Sequence, residues 1–320
     1  MDLEEWEKVR AAIAEKFSGG ESGEIGGNWL SPLIEAERQR GYEIIQQYNG
    51  FDYVENAFFD FFIETLTIAG KFPVHGGLPD SDRSYPLIYL TFRSLFRGLR
   101  AASILKNYGY PLPGFAALRD QTTRAIELSA VANEMTDILS IYGLERPGQS
   151  NHSTDPTERG EIVGRRTNER NRVMRLMAGK DSGLEVDDIA ELKKIRVISN
   201  EELHQGTLAI FNDLRIIAEE QRLPSVAPEP HRDELDIASY INRASETEWM
   251  VLRLLPYLQL APRAFGENWA VRWGLLDTGY RGLVESLGKP VSRSFTRMID
   301  AKFAFDPYTC YRVEGASPFP

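Results

Sequence analysis

Residues 84–143 read SYPLIYLTFRSLFRGLRAASILKNYGYPLPGFAALRDQTTRAIELSAVANEMTDILSIYG, and this stretch decides the fold. Ile88, Phe92, Leu95, Phe96, Leu99 and Ala102 recur at helical spacing and make one apolar face. Gly109-Tyr110-Pro111-Leu112-Pro113-Gly114 then breaks the helix. Beyond the break, Phe115, Leu118, Ala125, Leu128, Ala132, Met135 and Leu139 resume mostly three- and four-residue steps. Two long helices joined by so short a break pack antiparallel. Ala125, Ser129 and Ala132 are small, which lets a neighbouring helix approach closely. The pattern predicts an all-α protein, a multi-helix bundle built around this hairpin.

The flanking sequence is helical in pattern almost throughout. Residues 1–28 read as a short amphipathic helix carrying Trp6, followed by a flexible link with Gly19, Gly20, Gly23, Gly26 and Gly27. A helical core domain is expected over residues 29–222. Ser31-Pro32 suits a helix start, with Ser31 as cap and Pro32 in the first turn. Phe58, Phe59, Phe61 and Phe62 form an aromatic cluster of the kind that fills a core. Asp155-Pro156 starts another helix, Leu184 to Lys194 is acidic and amphipathic, and Leu208 to Gln221 is helical again. Residues 223–231, with Pro224, Pro228 and Pro230, form a linker. C-terminal helices follow over 232–305 as an extension of the bundle. One runs from Asp233 to Leu255 and is ended or kinked by Pro256, and the next carries Trp269 and Trp273 four apart. Ser292 to Phe303 is the last helix, and 306–320 is a tail.

Composition narrows the class. A chain of 320 residues buries about 75% of its unfolded surface, so its core needs no covalent staple. Cys310 is the only cysteine, which excludes an intramolecular disulfide and a cysteine-rich metal site. The net charge of −10 argues against non-specific DNA binding by the whole surface. The charged start, Met1 to Arg10, does not resemble a signal peptide, and no run approaches the ~18 apolar residues of a membrane span. A cytoplasmic protein of bacterial type, with no membrane partner, is expected.

Common catalytic signatures are missing. Gly179-Lys180 lacks the earlier glycine of a phosphate-binding loop and is followed by Asp181. There is no dinucleotide fingerprint, no Gly-x-Ser-x-Gly elbow and no His-Glu-x-x-His zinc helix. Glu201-x-x-His204 places a carboxylate and an imidazole on one helix face, half of a di-iron motif. The other half is missing, because His75, His152 and His231 have no acid three residues earlier. No metal and no cofactor are therefore expected, and the competing reading of His204 is a structural histidine near a helix end.

Two rows of arginine invite anion binding. Arg93, Arg97 and Arg100 flank the apolar face of the hairpin's first helix. Arg165, Arg166, Arg170, Arg172 and Arg175 form a second row. Guanidinium forks match phosphate oxygens, so phosphate or RNA is one reading. A solvated face paired to the plentiful carboxylates is the other, and the favoured one. Arg124 and Glu127, three apart on the return helix, read as a structural pair, as do Arg119 and Asp120.

The hairpin also resembles a known group. Arg100-Ala101-Ala102-Ser103-Ile104-Leu105, then Gly109-Tyr110, then Ala117-Leu118-Arg119 and Arg124 to Glu127, followed by Ile198-Ser199 and His204, is similar to a set of uncharacterised bacterial helical proteins. The resemblance covers residues 85–215. That set is distantly similar to HEPN domains, helical bundles found in toxins and RNA-cutting proteins. It implies an RNA-processing or defence role, with His204 as proton carrier and Arg119, Arg124, Glu127 or Ser199 nearby. The chain departs from the HEPN pattern of an arginine, four residues and a histidine. Ser199 stands where the arginine belongs, and the nearest preceding arginine, Arg196, is seven residues further off than adjacency to His204. The leading expectation is thus a non-enzymatic helical protein that binds a protein partner or itself, with RNA as the alternative.

Overall fold

A computed structural model describes residues 7–8, 11, 30–70, 85–132, 134–144, 155–177, 230–258 and 265–286. Among the described residues every regular element is helical. They are α1 (Leu30–Gln47), α2 (Asn49–Ala69), α3 (Tyr85–Asn107), α4 (Pro111–Ala132), α5 (Ile138–Tyr142), α6 (Pro156–Met177), α7 (Pro230–Leu254), a 3-10 turn (Leu255–Leu258) and α8 (Glu267–Ser286). The protein is an all-α bundle. The expected N-terminal arm, the segments around 184–194 and 208–221, the helix at 292–303 and the tail lie outside the described residues.

The hairpin forms as its sequence predicts, and its turn shows why. Gly109 takes a left-handed conformation (φ 81°) that a side chain would oppose. Its N–H reaches Lys106 O at 2.9 Å and the Tyr110 N–H reaches Leu105 O at 2.9 Å, which satisfies the last carbonyls of α3. Pro111 then opens α4, where its missing N–H costs nothing. The Tyr110 hydroxyl donates to Glu37 of α1 and fastens that helix to the turn. Burial and the Glu37 carboxylate push the Tyr110 phenol up to about 12. α1 lies so close to the end of α3 that a Cβ on Gly41 would stand 2.2 Å from Asn107 O.

The return helix is shorter than its pattern suggests. It stops at Ala132, the chain turns at Glu134 (φ 56°), and a new helix begins. Asp137 causes the restart: its carboxylate accepts the Ser140 N–H at 2.9 Å and the Ser140 hydroxyl at 2.6 Å. Those hydrogen bonds hold the Asp137 carboxyl below the usual range against the opposing effect of burial. Asp155 likewise opens α6 by accepting the Thr157 N–H at 2.8 Å. Pro230 and His231, expected in the linker, belong to α7, and residues 223–229 lie outside the described residues.

α7 and α8, expected as an extension, share one continuous apolar core with α1 to α4. α3 and α4 make the most extensive helix pairing, and α7 packs next most extensively on α4. α8 lies against both α7 and α2, and α2 against α3, so the helices close around the core. Pro256 ends α7 as predicted. It has no N–H to give Leu252 O, and the Trp273 indole of α8 donates to that carbonyl instead, at 2.8 Å. Tyr85 at the start of α3 donates to Leu258 O at 3.1 Å in the turn that follows. Phe58, Phe59 and Phe62 of α2 meet Phe92 and Phe96 of α3 and Tyr280 of α8, mostly edge to face, and Phe265 stacks on Trp269 at 4.5 Å.

Two glycines should respond in opposite directions to alanine. Gly164 in α6 has open space around its Cβ position, so Gly164→Ala should stabilise by about 0.5–1 kcal/mol. Gly41→Ala drives a methyl into backbone and should cost about 1–3 kcal/mol. Urea midpoints of the two variants measure both, and equal shifts would contradict the α1–α3 contact.

Candidate functional site

The two arginine rows have opposite fates. Every arginine of the α6 row is engaged. Arg165 donates to Gly143 O at 3.1 Å, and Arg166 lies over the Tyr142 ring at 5.7 Å. Arg170 pairs with the buried Glu127 of α4 at 2.5 Å. Arg172 bonds Glu169 at 2.7 Å and Met135 O at 3.1 Å, and Arg175 bonds Asn171 O at 3.2 Å. Arg170 ties α6 to α4, Arg172 ties it to the α4–α5 turn, and Arg165 and Arg166 tie it to the end of α5, so this row is engaged within the protein.

The α3 row differs. α3 contains no aspartate or glutamate. Arg93 and Arg97 are exposed, and neither has an ion pair among the described residues. Arg100 is half-buried with its guanidinium over Phe59, 5.3 Å from the ring centre. Arg124 of α4 crosses the hairpin and donates to Ser94, which sits between Arg93 and Arg97 in sequence. A fourth guanidinium therefore edges the row. Leu90 and Ile104 are exposed on the same side of α3, at helical steps from Arg97.

The candidate catalytic residues do not assemble into one centre among the described residues. Arg124 turns to Ser94 of α3 and Glu127 to Arg170 of α6, so the expected pairing of the two gives way to separate partners. Arg119 is half-buried. His204 and Ser199 lie outside the described residues. Among those residues no group of three or more His, Cys, Asp or Glu side chains is placed to hold a metal ion, and no helix is long and apolar enough to cross a membrane.

The most concentrated chemistry is a cluster that the sequence reading missed. Glu55 of α2 and Lys106 of α3 form an ion pair at 3.0 Å, with side chains 0% and 1% exposed. Ser103 donates to the same Glu55 oxygen at 2.9 Å, and the Lys106 ammonium sits 4.7 Å above the Phe51 ring. Tyr280 of α8 donates to Glu248 of α7 at 2.8 Å. Tyr240 of α7 lies fully buried beside them. Burial drives the Glu248 carboxyl well above its usual range and the Glu55 charge adds to that, while the Tyr280 hydrogen bond and Lys106 oppose it in part. Burial likewise raises the Tyr240 and Tyr280 phenols, assisted by Glu55 and Glu248. Glu55 Oε1 and Tyr240 Oη are buried without a hydrogen-bond partner among the described residues.

A signal for this cluster exists in the sequence. Glu55 falls in register with Phe51, Phe58 and Phe62, and Lys106 with Leu95, Leu99 and Ala102. Glu248 falls with Ala244, Val251 and Leu255, and Tyr280 with Trp269, Trp273 and Leu276. A charge or phenol at a core position of four helices is an anomaly that the apolar period exposes.

Comparisons of the chain with protein-family models, with curated proteins and with solved structures returned no match.

Removing one half of a sealed ion pair leaves the other charge stranded. Lys106→Met should therefore cost about 3–5 kcal/mol, and adding Glu55→Gln should recover part of that loss. Urea unfolding of the two single variants and the double variant measures the coupling; additive costs would place the two charges outside a common core.

Proposed function

We propose that this is a helical interaction protein that engages an acidic partner protein through the outer face of α3. The observation that carries the reading is the pair Arg93 and Arg97, exposed and without a counter-ion among the described residues, on a helix that has no acid of its own, in a chain of net charge −10. Acidic side chains outnumber basic ones in this protein, and its other arginine row is fully engaged. Exposed guanidinium groups with no acid beside them on their own helix are free to make charge-assisted hydrogen bonds to an anionic partner. Leu90 and Ile104 favour a protein over a nucleic acid. A phosphate backbone has no apolar group to set against them, whereas an acidic amphipathic segment has both. The engagement of Arg124 and Glu127 with neighbouring helices supports an interaction role over a catalytic one.

Fluorescence anisotropy with a labelled acidic amphipathic peptide and a labelled single-stranded RNA tests the reading. The peptide should bind more tightly than the RNA, weaken as salt rises, and lose at least tenfold in affinity to the Arg93→Glu, Arg97→Glu double variant. Equal peptide binding by both proteins overturns the reading, and tighter binding of RNA at matched salt transfers the face to nucleic acid.

A further inference from the structure

Among the described residues the α2–α3–α7–α8 junction holds two carboxyl groups but only one cation. Lys106 is committed to Glu55 at 3.0 Å, with Ser103 on the same oxygen. Glu248 receives only the neutral Tyr280 hydroxyl. Both carboxyls lie in the apolar core, at 0% and 1% exposure, so an ionised Glu248 would be a second buried anion acting on Glu55 with no cation of its own. A protonated Glu248 removes that charge and carries an O–H donor, and Glu55 Oε1 is a buried acceptor in the same cluster that lacks a donor.

Among the described residues the other charges on and against α7 have partners of their own. Asp277 of α8 takes the Trp249 indole at 2.8 Å and the Arg253 guanidinium at 2.7 Å, with Arg281 at 3.0 Å. Arg243 and Glu246 pair along α7 itself at 2.7 Å. α4 meets α7 through Thr122 and Thr247 at 2.8 Å, and its Glu127 is held by Arg170. Arg119 of α4 is half-buried, and the charges that act on Glu248 are Glu55 and Lys106. Tyr240 of α7 and Tyr280 of α8 complete the surroundings, and both phenols hold their protons past their ordinary range.

We propose that Glu248 is a proton-binding site of the folded protein: it keeps one proton at neutral pH, and loss of that proton weakens the packing of α7 against α2 and α8. The sign follows from linkage. The unfolded chain releases this proton near the ordinary glutamate value of 4.5, whereas the folded chain keeps it to higher pH. The stabilisation is therefore complete below 4.5 and declines as pH rises toward the folded value. The lowered carboxyls of Asp137 and Glu169 act in the opposite direction and only at acid pH, which leaves the interval above about pH 5 free of them.

Urea midpoints of the wild-type protein and Glu248→Gln between pH 5 and 9 read the effect. The folding constant of the wild type should fall relative to the variant by up to about tenfold per pH unit within that interval. Parallel profiles overturn the proposal. The second measurement needs no variant: the infrared carbonyl band of a protonated carboxyl should be present in the wild-type protein at pH 7 and should shift when glutamate is labelled with carbon-13. Absence of a glutamate-derived band at that pH overturns the proposal even if Glu248→Gln does not fold.

Discussion

The ion pair between Glu55 and Lys106 is the constraint on which the arrangement of helices turns. It joins the middle of α2 to the end of α3 at a point where neither side chain meets water. Coulomb attraction in such a place roughly repays the cost of taking two ions out of water, so the pair adds little net stability. Its consequence is register. Rotating either helix by one residue swings a charge through about 100° into the aromatic packing of Phe58, Phe59 and Phe62. The apolar core alone, built from many similar Leu and Phe side chains, would tolerate such slips far more readily. α7 and α8 are fixed in the same way by Glu248 and Tyr280, and again by Asp277 between Trp249 and Arg253. The four central helices thus have polar anchors that apolar packing surrounds.

Local chemistry made the hairpin legible. Gly109 and Pro111 specify the end of one helix and the start of the next with almost no help from the rest of the chain. Pro256 ends α7 for a similarly local reason, although the donor that compensates for it, Trp273, is contributed by another helix and could not be foreseen. Apolar spacing that continues through Met135 and Leu139 predicts a longer α4 than forms. The spacing is real, but Asp137 restarts the helix and re-aims those side chains.

The site was less legible, for a reason that the pairs illustrate. Arg124 and Glu127 stand three apart, which suggests mutual pairing, yet each prefers a partner from a neighbouring helix. Helix–helix complementarity decides that choice, and the spacing within one helix does not show which helices become neighbours. The buried cluster is the converse case. Glu55, Lys106, Glu248 and Tyr280 each interrupt an apolar stripe, so the anomaly is visible in each helix separately. Only packing shows that the four interruptions converge and satisfy one another.

The two arginine rows carry this argument to the surface. By composition they are alike, and composition predicts that both are paired. Pairing in fact depends on what each helix faces. α6 lies against α4, the α4–α5 turn and the end of α5, which offer Glu127, Met135 O and Gly143 O in turn, and it carries Glu169 of its own. The outer side of α3 offers neither an acid nor an unpaired carbonyl, because helix carbonyls are consumed by the helix itself. Charge is therefore partitioned along α3. Its buried end is neutralised by Glu55, its outer side is left positive at Arg93 and Arg97, and Arg100 stands between, packed on Phe59 of the helix that carries Glu55. The backbone that carries Arg93 and Arg97 is held firmly, since the opposite side of the same helix is locked into the core by Leu95, Leu99 and Ala102. Rigidity of that kind lowers the ordering cost of binding, so a binding surface is best placed on the helix that the interior holds most firmly.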